Sequence, residues 1–182
     1  MLRTRAGYCG GEEKHPTYYS IGGHTEAISI DYDPAVTSYE TMLGLFWETH
    51  RCERNNMSTQ YMNAVFTRDP VQAEKAKASL AARAKSLGIA EAKVATKIIA
   101  IDRFTYAEGY HHKYYLTRHA ELRGFLERTY PDEKAFADST AGTRLNAYLG
   151  SGMDLDWANF LAELPSYGLP EALEANVRSA AR

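Results

Sequence analysis

An α/β domain followed by a helical extension is the architecture this sequence predicts. Two observations carry that expectation. Between Glu26 and Ile101, strand-like segments alternate with helix-like ones, the pattern of a layered α/β structure. After Phe104 the apolar residues recur at helical spacing and no further strand pattern follows.

The elements follow in order. Gly7 to Gly23 holds the pairs Gly10-Gly11 and Gly22-Gly23 around Pro16, so it is expected to be loop. Glu26 to Tyr32 alternates, with Ile28, Ile30 and Tyr32 on one face, and reads as a strand ended by Asp33-Pro34. Thr37 and Glu40 have capping-box spacing, and Tyr39, Met42, Leu43, Phe46, Trp47 and His50 continue at helical intervals. Tyr61 to Thr67 reads as a second strand, with the intervening helix allowing a right-handed crossover. Asp69-Pro70 opens an alanine-rich helix that stops at Leu87-Gly88. Val94 to Ile101 is the third expected strand. Helices are then expected near 109–116, 119–128, 139–149, 154–164 and 170–179, punctuated by Pro131, Pro165 and nearby glycines.

Composition narrows the class. The chain has 182 residues, 45% hydrophobic and 24% charged, an ordinary globular mix. A net charge of −2 argues against a dedicated nucleic-acid binder. Two cysteines, Cys9 and Cys52, exclude a disulfide scaffold. No apolar run reaches the length of a membrane helix, so no membrane partner is expected. A cytoplasmic protein is expected.

Several residues are candidates for chemistry. Cys9 sits among glycines, where a tight turn can expose a thiol and backbone amides can steady a thiolate. Cys52 has Arg51 and Arg54 beside it, which favour a thiolate, while a helix C-terminus opposes one. For both, a small residue filling a small space is the competing reading. Glu26 stands at the start of an apolar strand, where burial makes a carboxyl a plausible general acid. A strand-edge glutamate bonded to loop amides is an equal alternative. Tyr18, Tyr19 and Tyr61 offer phenolic hydrogen bonds, though each is one of 13 tyrosines. His111-His112 is a poor chelating pair, and neither His-x3-His nor Cys-x2-Cys occurs, so no metal is expected.

One set of motifs, in order, carries a family likeness. It runs Gly7-Tyr8-Cys9-Gly10-Gly11, Pro16-Thr17-Tyr18, Gly23-His24-Thr25-Glu26 and Tyr32-Asp33-Pro34. Phe46-Trp47-Glu48-Thr49-His50, Thr59-Gln60-Tyr61 and Tyr106-Ala107-Glu108-Gly109-Tyr110-His111-His112-Lys113-Tyr114 complete it. The set resembles the type A peptide methionine sulfoxide reductases. The resemblance implies a two-layer α/β fold with a mixed sheet over residues 1–116 and a helical C-terminal extension over 117–182.

The resemblance also implies thiol-dependent reduction of methionine-S-sulfoxide, free or in proteins, and repair of oxidised proteins. In that chemistry a cysteine thiolate attacks sulfur and a glutamic acid protonates the leaving oxygen. Two tyrosines hydrogen-bond that oxygen. By motif, the acid is Glu26, the tyrosines are Tyr18 and Tyr61, and His24 and Asn56 line the substrate site. No cofactor is bound, and thioredoxin or a similar thiol is the reductant. The family nucleophile belongs to a Gly-Cys-Phe-Trp motif upstream of the Gly-Tyr-x-Gly-Gly turn, and that motif is absent from these 182 residues. The resemblance therefore implies a family domain incomplete at its N-terminus. Cys9 and Cys52 are the substitutes available, and a non-catalytic module that binds oxidised peptides or a protein partner is the alternative.

Overall fold

A computed structural model describes residues 1–55, 58–150 and 156–180. Asn56, one of the expected substrate-site residues, lies outside them. The chain divides into two compact units, Ala6–Ala107 and Met1–Arg5 with Glu108–Arg182. The division falls inside the first strand.

In the Ala6–Ala107 unit, mixed α/β structure is found. Its strands are β1 (Arg3–Cys9, continued from the other unit), β2 (Thr25–Asp31), β3 (Ala64–Thr67), β4 (Lys97–Ala100) and β5 (Thr105–Tyr106). They form a three-stranded sheet of order β2-β1-β5 and a parallel pair, β3-β4. β1 and β5 run antiparallel, with Gly7 opposite Tyr106 and Tyr8 opposite Thr105. Val65 stands opposite Ile98 in the parallel pair. Two helices accompany them, α1 (Tyr39–Glu48) and α2 (Pro70–Ser86).

Four expectations are corrected here. The stretch from Gly7 is strand before it is loop, because Gly7 lies against Phe104 and the Thr105 carbonyl, where any Cβ would collide. The second strand begins at Ala64, not Tyr61. Ser58 caps a short 3-10 turn at Thr59–Tyr61, and the Asn63 amide is taken by Asn55 Oδ1 at 2.7 Å. The third strand is trimmed to Lys97–Ala100 by a turn at Glu91–Lys93. Finally, β2 and β3 lie in different sheets, so the crossover helix between parallel neighbours is α2, joining β3 to β4.

Both helices start where local chemistry allows. Ser38, rather than Thr37, caps α1 by accepting the Thr41 amide. Asp69 caps α2 through the Gln72 amide at 2.8 Å, with Pro70 at the first helical position. Leu43, Trp47, Cys52, Val65 and Ala76 form the buried core of this unit. The Trp47 indole donates to Ser79 Oγ at 3.0 Å, so burial of the ring leaves its N–H satisfied.

The other unit is helical: α3 (Ala120–Thr129), α4 (Glu133–Ala137), α5 (Thr140–Gly150), α6 (Trp157–Glu163) and α7 (Glu171–Ala180). The expected helix near 109–116 is instead two short 3-10 turns, Gly109–His111 and Leu116–Arg118. Leu116, Leu122, Leu126, Leu145, Phe160, Leu164 and Val177 are its most deeply buried core side chains. Within this unit Lys113 Nζ is buried and donates to the Thr4 carbonyl at 2.8 Å and Thr143 Oγ1 at 2.6 Å. Burial, aided by Arg5, lowers the Lys113 amine to about 8. Arg5 itself pairs with Asp138. Among the described residues no helix is long and apolar enough to cross a membrane.

Leu145 has no exposed surface at the centre of the helical core. Leu145→Ala is expected to destabilise that unit by about 2–5 kcal/mol. Denaturant unfolding followed by circular dichroism checks it.

Candidate active site

The loop between β1 and β2 supplies the first tyrosine and aims the strand that follows. Gly10, at φ 87°, turns the chain out of β1 with the Phe66 ring close by. At Gly22, φ 56°, a Cβ would lie 2.2 Å from the Glu13 Cβ, so only glycine lets the loop close on itself. His24 Nε2 donates to the Glu13 carbonyl at 2.8 Å, and Arg103 Nη2 donates to the same oxygen at 2.8 Å. His24 is buried, with Nδ1 lacking a partner among the described residues. Its placement makes it a fastener of the loop at the start of β2.

Three of the expected residues come together. Tyr18 and Tyr61 meet hydroxyl to hydroxyl at 3.2 Å. Glu26, half-buried on β2, accepts a hydrogen bond from Gln60 Nε2 at 2.8 Å, and Gln60 is the neighbour of Tyr61. Tyr61 is pushed up to about 12, first by its bond to Tyr18, then by desolvation and by the Tyr18 and Glu26 charges. Its phenol therefore stays a proton donor at any physiological pH. A carboxyl and two phenols, linked through one turn, form an array that can protonate and hydrogen-bond a small polar oxygen.

Two residues in this array were not singled out by sequence reasoning: Gln60, and Thr25, whose buried hydroxyl donates to the Thr59 carbonyl at 2.9 Å. The available signal was adjacency, since both sit inside the motifs that name Glu26 and Tyr61.

Both cysteines are small residues filling small spaces, and the exposed thiol that a glycine turn allows at Cys9 is not found. Cys9 ends β1, only 1% exposed, and burial pushes its thiol up to about 12 against a weaker pull from Arg68. Cys52 is fully buried between Leu43, Trp47 and Val65. Its carbonyl receives the amides of Ala95 and Thr96 at 2.8 and 3.3 Å. Arg51, the cation that precedes Cys52 in sequence, reaches Glu53 Oε1 at 2.8 Å. A cavity of about 480 Å³ has Cys9, Glu26, Ile30, Met42, Phe46 and Phe66 among its walls. Neither Tyr18 nor Tyr61 lines it.

No group of three or more His, Cys, Asp or Glu side chains suited to a metal occurs among the described residues. His111 lies 3.8 Å from Glu108 in the helical unit.

Comparison with known proteins decides the family. Residues 1–142 match the family model described as peptide methionine sulfoxide reductase. The chain belongs to the peptide methionine sulfoxide reductase family. A peptide methionine sulfoxide reductase of Drosophila melanogaster is 35% identical over 170 residues, covering 93% of this chain and 66% of its own. The MsrA of Streptomyces griseus is 40% identical over 123 residues, 61% of this chain and 55% of its own. The chain thus spans between about half and two thirds of these relatives. The crystal structure of Mxr1 from Saccharomyces cerevisiae in reduced form shares the fold with a TM-score of 0.54 at 23% identity, over 59% of this chain and 66% of that one. Family membership covers the whole Ala6–Ala107 unit and reaches into α5.

The burial of both thiols has a direct test. Iodoacetamide at pH 9 should leave Cys9 and Cys52 unmodified in the native chain, while both react in concentrated urea. Peptide mass mapping reads the difference.

Proposed function

We propose that this protein reduces methionine-S-sulfoxide to methionine, with Tyr18, Glu26 and Tyr61 as the groups that receive the sulfoxide oxygen. The observation that supports the reading is the convergence of these three side chains on one turn, in a chain of the reductase family. In this chemistry a thiolate attacks the sulfoxide sulfur and takes over its oxygen. The sulfur–oxygen bond of the substrate breaks, methionine leaves as a thioether, and the thiol becomes a sulfenic acid. Glu26 gives the oxygen its proton, and the phenols of Tyr18 and Tyr61 stabilise the negative charge that develops there. Two external thiols then return the sulfenic acid to thiol, releasing water and forming a disulfide. A thioredoxin-type dithiol supplies them, with no bound cofactor. A reducing cytoplasm suits that chemistry. His24 holds the loop that carries Tyr18.

The nucleophile of this reading is the cysteine of a Gly-Cys-Phe-Trp motif, as the family resemblance implies, and not Cys9 or Cys52. Burial of both thiols supports that choice. The same observation favours a second reading for the 182 residues taken alone, a module that binds oxidised peptides without reducing them.

The experiment is turnover of N-acetyl-methionine-S-sulfoxide with dithiothreitol, followed as thioether formed, using protein purified from its native source. Glu26→Gln should lower kcat by about 10² or more. Tyr18→Phe and Tyr61→Phe should each cost less, about threefold to tenfold, because each removes one hydrogen bond. An unchanged rate in Glu26→Gln would take Glu26 out of the mechanism. No turnover, with sulfoxide peptide still bound through Glu26, would establish the second reading.

A further inference from the structure

We propose that Gln60 is the positioning residue that decides which oxygen of Glu26 delivers the proton. This inference rests on the reading of Glu26 as the acid. Gln60 Nε2 donates to one carboxyl oxygen, Oε1, at 2.8 Å. A carboxyl group carries its proton on one oxygen and accepts through the other. An oxygen already receiving an N–H bond is the accepting one, so the proton resides on Oε2. The amide thereby fixes both the rotation of the carboxyl plane and the direction of its O–H.

The support of Gln60 is unusually complete for a short turn. Ser58 Oγ accepts the Gln60 backbone amide at 3.2 Å, which caps the turn. The buried Thr25 hydroxyl, one residue before Glu26, grips the Thr59 carbonyl at 2.9 Å. Tyr61, one residue after Gln60, meets Tyr18 at 3.2 Å. Three successive residues of the turn therefore hold three parts of the same array. Thr59 fixes the distance to β2, Gln60 orients the acid and Tyr61 presents the phenol. Freeing the acid would cost little in fold stability, since Gln60 is only half-buried and its amide can turn to water.

The arrangement has a signature. Replacing Gln60 by a residue of similar length with no donor leaves the carboxyl plane free to rotate and the O–H worse aimed. A merely structural role would not couple the Gln60 side-chain amide to the charge state of Glu26.

Two measurements on the 182-residue chain test the proposal. The first needs no ligand. In a pH titration by NMR, the Gln60 side-chain amide resonances should move as Glu26 ionises, and should stay still in Glu26→Gln. Resonances that do not move in the unmodified chain overturn the proposal. The second compares binding of N-acetyl-methionine-S-sulfoxide to the unmodified chain and to Gln60→Met. In Gln60→Met, affinity should fall about threefold to tenfold. Unchanged affinity overturns the role of Gln60 while leaving Glu26 as the acid. Binding that is indifferent to Glu26→Gln, or absent, overturns the reading of Glu26 instead, and with it the role given to Gln60.

Discussion

One part-buried hydrogen bond, from the buried Thr25 hydroxyl to the Thr59 carbonyl, is the constraint on which the site depends. Glu26 lies on the first sheet and Gln60 and Tyr61 lie on a turn that leads into the second. Among the described residues no ladder joins those sheets, since β3 pairs with β4 and β2 with β1. The side-chain bond spans the gap. Thr25 is 1% exposed, so water competes poorly for its hydroxyl. Gln60 to Glu26 and Tyr61 to Tyr18 then extend the same seam outward, toward increasing exposure.

The turn is in turn anchored from behind. Asn55 takes the Asn63 amide through Oδ1 and donates Nδ2 to the Ala95 carbonyl at 2.9 Å. The Cys52 carbonyl receives Ala95 and Thr96, and His50 Nε2 lies 2.8 Å from Thr96 Oγ1. Polar side chains thus tie the segment after α1 to the segments before β3 and β4. That accounts for a stretch with no periodic apolar pattern that still has a defined course. The role of Cys52 in this arrangement is carried by its backbone and by the volume of its side chain.

Much of the fold was legible where one local rule dominates. β2 follows its alternation, α2 its Asp-Pro start and Leu-Gly end, and the late helices their spacing, to within a residue or two for α3 and α7. Legibility failed where pairing with distant residues decides. Gly7-Tyr8-Cys9 has turn composition but is held as strand by β5, ninety-odd positions away in the chain, at Thr105 and Tyr106. The strand expected from Tyr61 is delayed because Ser58 and Asn55 capture backbone amides that a ladder would have used. In the site, Glu26, Tyr18 and Tyr61 were readable as residue types in known motifs. Gln60 and Thr25 were not, because their work lies in hydrogen bonds between segments that sequence spacing does not show.

β2 is the outer strand of its sheet, and Ile28 on it is 63% exposed. An outer strand offers a row of amides and carbonyls to any extended chain that approaches. Beside an apolar side chain, that row becomes adhesive, and two copies of the protein can meet along it as concentration rises. Crowded preparations should therefore cloud before dilute ones, with no loss of internal order in either. A lysine at position 28 would blunt this edge in the way many natural sheets do, by making its borders charged. The strand that presents Glu26 is thus also an edge with an uncovered apolar side chain.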